Sequence, residues 1–124
     1  MLTPHTVDGA PKPIGHFAHA MQVGNLLYLS GQGPVDPRSG AMPPGTAAQT
    51  TATLANLERV LEACGSSLRN VVKVNAYLRN PSDFEAFNAA YGAAFGEHRP
   101  ARTTTCPGLL GEILVEIDCV ALVE

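Results

Sequence analysis

Two kinds of hydrophobic spacing alternate along this chain, and the points where one gives way to the other mark its elements. Ala20-Met21-Gln22-Val23 and Leu26-Leu27-Tyr28-Leu29-Ser30 are apolar-rich runs separated by Gly24-Asn25, a pair that tolerates φ > 0. That pattern predicts a β-hairpin with a two-residue turn, ended on its second strand by Gly31. Residues 31–45 hold four glycines and four prolines and read as a long loop. From Thr46 the spacing changes to threes and fours, with Leu54, Leu57, Val60, Leu61 and Cys64 on one stripe and Gly65 placed to follow the C-terminal cap. This is an amphipathic helix. Val71–Leu78 returns to a period of two, with Val72, Val74, Ala76 and Leu78 on one face, and predicts a strand. Asn80-Pro81-Ser82 then opens a second helix, with Ser82 and Glu85 spaced as a capping box. Its aromatic stripe, Phe84, Phe87, Tyr91 and Phe95, reads as core rather than as a platform for bases, and Gly96 ends it. A short extended segment at Pro100–Thr105 and a long apolar strand at Ile113–Val123 complete the order.

Hairpin, loop, helix, strand, helix, short strand and long strand describe an α+β domain in which two helices cover one face of a mixed sheet. The other face keeps apolar residues with no third helix left to cover them, which predicts oligomerisation. A length of 124 residues at 45% hydrophobic content suits one domain spanning residues 1–124, with a core that needs neither disulfide nor metal.

Charge narrows the partners. Eight Lys and Arg against eleven Asp and Glu give a formal net charge of −3 without any basic run, so a nucleic-acid partner is not expected. No apolar run approaches the length of a membrane span and the N-terminus lacks a signal-peptide pattern, so the expected location is cytoplasmic. Cys64, Cys106 and Cys119 form no Cys-x-x-Cys pair and are expected as free thiols, Cys64 and Cys119 within the core. His16 and His19 are poorly spaced for zinc, and Gly31-Gln32-Gly33 lacks the third glycine and the helix of a dinucleotide fingerprint. Neither a metal nor an organic cofactor is expected.

Arg102 is the leading candidate for chemistry. It sits between Pro100 and the β-branched Thr103-Thr104-Thr105, where a short extended backbone presents its planar fork for bidentate capture of a carboxylate. Glu116 and Asp118 interrupt the last strand and share one of its faces. Two arrangements are open: Arg102 pairs directly with one of these acids as an internal ion pair, or Glu116 stands about 4 to 7 Å from the fork, with room between for substrate and water.

Ile14-Gly15, Gly24-Asn25, Ser30-Gly31-Gln32, Asp83-Phe84, Asn88, Tyr91, Pro100-Ala101-Arg102 and Val115-Glu116-Ile117, taken in order and spacing, resemble the Rid (YjgF-like) reactive intermediate deaminases over nearly the whole chain. That resemblance implies a chorismate-mutase-like fold, a homotrimer, and clefts between subunits in which enamines and imines such as 2-aminoacrylate are hydrolysed to keto acids and ammonia. It implies that Arg102 binds the substrate carboxylate, that Glu116 positions or activates water, and that Ser30 and Asn88 are polar cleft residues. Two positions depart from the family: Phe17 stands where a tyrosine is common, and Thr104 where close relatives often carry cysteine. His16 or His19 could restore a polar group beside Phe17. The alternatives are a deaminase for a larger catabolic enamine such as 2-aminomuconate, and a trimer that binds small carboxylates without turnover. A ribonuclease reading finds no paired catalytic histidines in this acidic chain.

Overall fold

A computed structural model describes all 124 residues. Six strands form one mixed sheet in the order β1-β2-β3-β6-β4-β5. They are β1 (Leu2–His5), β2 (Ala20–Val23), β3 (Leu26–Gln32), β4 (Val71–Leu78), β5 (Ala101–Thr105) and β6 (Val115–Leu122), with helices α1 (Thr46–Ala63) and α2 (Phe84–Phe95). α2 joins the parallel strands β4 and β5, and α1 joins β3 to β4, which both run antiparallel to the intervening β6. Such crossovers need a helix-length connection. Both helices pack on one face over Leu27, Leu29, Val74, Ala76, Val115, Ile117 and Cys119, and the other face stays open. No helix is long and apolar enough to cross a membrane.

The hairpin forms as predicted, with Val23 opposite Leu26 and Gly24 alone at φ 59°. α1 ends in a Schellman motif: the Gly65 and Ser66 N–H groups donate to the Glu62 and Leu61 carbonyls, with Gly65 at φ 81°. Cys64 and Cys119 are buried and Cys106 is exposed, each as a free thiol.

One strand is additional and three expectations are corrected. Residues 2–5 form an edge strand on β2, held by backbone pairing along a stretch with no alternation of its own. Gly31 does not end its strand; β3 continues to Gln32 through a bulge that sets Ser30 and Gly31 together opposite Asp118. A second bulge between Val71 and Lys73 turns Val72 outward and buries Val71 instead. The Ser82–Glu85 capping box does not form, because Pro81–Asp83 make a 3₁₀ turn and α2 starts at Phe84 without a side-chain cap.

One face of α1 is polar and still buried, and this shapes the loops. The Gln49 side-chain amide donates to the Pro43 carbonyl while its oxygen accepts from the Leu114 N–H. Asn56 donates to the carbonyls of Gly33 and Val35. One helix thereby fixes the Pro/Gly-rich loop and the approach to β6 together.

Candidate active site

Strand alternation decides where each candidate points. Arg102 pairs with the buried Val74 and so projects to the helix side of the sheet, as does Thr104, which pairs with Ala76. The Arg102 guanidinium lies over three α2 rings, with Cζ 4.7 Å from the centroid of Tyr91, 5.3 Å from Phe87 and 5.7 Å from Phe84. Stacking on a ring quadrupole holds a guanidinium plane without consuming its edge N–H donors. Asn88 is exposed on the same helix, four residues past Phe84 and three before Tyr91, at the rim of this seat. Tyr91 is 7% exposed, and its hydroxyl is buried without a hydrogen-bond partner. Burial pushes that phenol up to about 12, against a smaller lowering by Arg102.

Glu116 belongs to the opposite face. It alternates with the buried Val115 and Ile117 and pairs across β4 with Tyr77. Its carboxylate crosses directly over Gly31, where any Cβ would collide with Oε2. Burial pushes the Glu116 carboxyl above its ordinary value, and the neighbouring charge of Asp118 pushes the same way. Asp118 is held at both oxygens, accepting from Asn75 Nδ2 at 2.9 Å and from Tyr77 Oη at 2.7 Å. That bond, then burial and nearby acid charge, pushes the Tyr77 phenol up to about 12.

Ser30 lies in the bulge next to the Gly31 backbone that Glu116 crosses, and Phe17 lies in the loop tied to that bulge. The Ser30 hydroxyl donates to the Ala18 carbonyl at 2.7 Å, so its proton ties the 14–19 loop to the bulge and only its lone pairs face outward. Phe17 is 44% exposed, with its ring against Gly15. His19 does not replace the missing hydroxyl. His19 is buried; its Nδ1 accepts from the Val7 N–H at 2.8 Å and its Nε2 lies 2.7 Å from the Pro11 carbonyl, which fixes the Nε2–H tautomer and makes it a pin for residues 7–11. His16 is exposed.

Neither arrangement expected for Arg102 and Glu116 occurs within one chain. They lie two strands apart, roughly 10 Å across the sheet, and on opposite faces. No strand acid shares the face of Arg102. The internal ion pair is thereby excluded, and Arg102, Thr104 and Asn88 form one group while Glu116 and Ser30 lie in another, with Phe17 in the loop tied to Ser30. Sequence reasoning missed the seat of Arg102, because a helical aromatic stripe has the same spacing whether or not it carries a cation. It also missed Asn75 and Tyr77, whose signal was the polar half of the β4 alternation.

Fold and site define a class: a small α+β domain with an arginine set on aromatic rings behind its sheet and an elevated carboxyl on the open face. Over residues 7–123 the chain matches the protein family described as Endoribonuclease L-PSP, and it belongs to that family. It is 40% identical over 119 residues to a RutC family protein of Pyrococcus horikoshii, covering 94% of each chain. To the 2-iminobutanoate/2-iminopropanoate deaminase of Escherichia coli it is 34% identical over 119 residues, covering 93% of each. The crystal structure of the E. coli YjgF gene product superposes with a TM-score of 0.92 at 32% identity, over 97% of this chain and 98% of that one. RidA from an Antarctic Psychrobacter gives 0.91 at 35% identity, over 98% of each.

Proposed function

We propose that this protein is an enamine/imine deaminase, hydrolysing intermediates of the 2-aminoacrylate class to 2-keto acids and ammonia as a homotrimer with its clefts between subunits. The observation that carries this reading is that an arginine fork with no strand acid beside it and an elevated carboxyl are built on opposite faces of one sheet. A second copy, laid on the open face, brings its own Arg102 group to the Glu116 group of the first. The exposed Leu2, Val23, Tyr28 and Leu122 on that face supply the apolar area for such contact.

The chemistry needs little more. An iminium carbon is already electrophilic, so the protein must hold the carboxylate, orient a water against C=N and move a proton. Arg102 suits the first task and Glu116 the other two, with Ser30, Asn88, Phe17 and Thr104 shaping the cleft, and no metal or cofactor is required. The deaminase name of the E. coli relative supports the same substrate class. A second reading, a larger enamine such as 2-aminomuconate, is favoured by Phe17, an exposed ring with no hydroxyl. The ribonuclease reading finds no support in the histidines, since both ring nitrogens of His19 are engaged.

The test is release of ammonia and pyruvate from 2-aminoacrylate generated in situ by a serine dehydratase. Acceleration over a no-protein control that disappears in Arg102→Ala supports the assignment. No acceleration with this substrate, and none with 2-aminomuconate, leaves a carboxylate binder. Light scattering checks the assembly, and a monomer would remove the cleft.

A further inference from the structure

Two carboxyls share the open face two residues apart on β6, about 7 Å between Cα atoms, and their surroundings differ sharply. Asp118 accepts a hydrogen bond at each oxygen. Glu116 has the Gly31 backbone beneath it and is more desolvated than hydrogen-bonded. Hydrogen bonds donated to a carboxylate favour its charged form, whereas burial and a neighbouring negative charge favour the neutral one. Among the groups facing this position, Ser30 of β3 donates elsewhere, Tyr77 of β4 donates to Asp118, and Lys73, further along β4, holds Thr103 Oγ1 at 2.7 Å. The helices pack on the far side of the sheet.

We propose that Asp118, locked by Asn75 and Tyr77, is a positioning residue that fixes negative charge beside the desolvated Glu116 and so helps to make Glu116 the carboxyl that carries the proton when turnover begins. The inference rests on the deaminase reading and gives it an order of events. Glu116 transfers its proton to the terminal carbon of the enamine, leaving an iminium and a Glu116 carboxylate. Water then bonds to the iminium carbon as its proton passes to that carboxylate, and the carbinolamine collapses to keto acid and ammonia. Glu116 ends protonated, as it began.

The test is a carbon-13 NMR titration of the Glu and Asp side-chain carboxyls in the full-length protein, with Glu116 assigned by Glu116→Gln. In the native chain Glu116 releases its proton above the ordinary carboxyl range, as its burial beside Asp118 requires; release within that range overturns the proposal and needs no folded variant to show it. Asp118→Asn removes the charge while its amide oxygen still accepts from Asn75 Nδ2 and its N–H group can donate to Tyr77 Oη in the reverse sense, so the Glu116 midpoint moves to lower pH. An unmoved midpoint overturns the proposal. The alkaline limb of kcat moves the same way, losing about tenfold in rate above it for each pH unit it travels. A shifted midpoint in a protein that accelerates no enamine supports the Asp118 clamp while refuting the deaminase reading, so the two failures are distinguishable.

Discussion

The two sides of the sheet position their charged groups by opposite means. On the helix side Arg102 rests on aromatic rings, and its place is set by shape and quadrupole, with its hydrogen-bonding edge left free. On the open side Glu116 is placed by a missing side chain at Gly31 and tuned by burial and by a second acid that is itself hydrogen-bonded. Alternation sends them to opposite faces, so they cannot close into an ion pair and cancel each other as binding groups. Separation by one sheet thickness preserves both, and in the proposed assembly a second copy completes the site.

The sharpest way to break that comparison is complementation. Arg102→Ala and Glu116→Gln each abolish turnover alone, but if a cleft draws its arginine and its acid from different chains, unfolding and co-refolding the two in equal amounts restores about a quarter of the clefts in random trimers. Recovery near that level is expected by steady-state assay; none would place both groups of a working site in one chain. Next in size is Gly31→Ala. Its methyl group lands on the Glu116 carboxylate, and a displaced catalytic group costs on the order of a hundredfold in kcat. Overpacking lowers stability by about 1–3 kcal/mol, measurable by urea unfolding. Pyruvate, which needs only the guanidinium, should still bind.

The arginine side breaks differently. Tyr91→Leu removes the nearest ring beneath the guanidinium, and the loss of one cation–π contact, about 0.5–2 kcal/mol, predicts a several-fold rise in KM with a smaller change in kcat. A fall in kcat alone would mean that the seat serves the chemistry rather than carboxylate capture.

Much of this could be read from the sequence, and the misses have physical causes. The hairpin, both helices and the β4 and β6 strands were legible because their spacings are regular and their glycines stand where φ must be positive, as at Gly24 and Gly65. Arg102 and Glu116 stood out because charge interrupts apolar or β-branched runs. Whether two residues share a face was not legible for a pair on different strands, since that depends on register. The bulge at Ser30–Gly31 was misread as a strand end because glycine serves both purposes. His19 resembled a free titratable group because nothing in its neighbours reveals two backbone partners 12 and 8 residues away.

The smallest expected effect probes the same seat from below. The Tyr91 hydroxyl is buried without a partner, so Tyr91→Phe removes an unsatisfied polar group and leaves the ring under Arg102; KM should hold and stability should stay level or rise by up to about 1 kcal/mol. Its signature lies in base. An unfolded tyrosine ionises near 10, whereas burial raises the Tyr91 phenol to about 12. Between those values the unfolded chain releases a proton that the folded chain keeps, so this contribution to stability is fully present below about pH 10 and is lost as pH climbs to about 12. Tyr91→Phe should therefore lose less melting temperature over that interval than the native protein. Equal losses would mean that the hydroxyl already reaches water, and the Arg102 seat would then be a wet surface groove rather than the edge of the core.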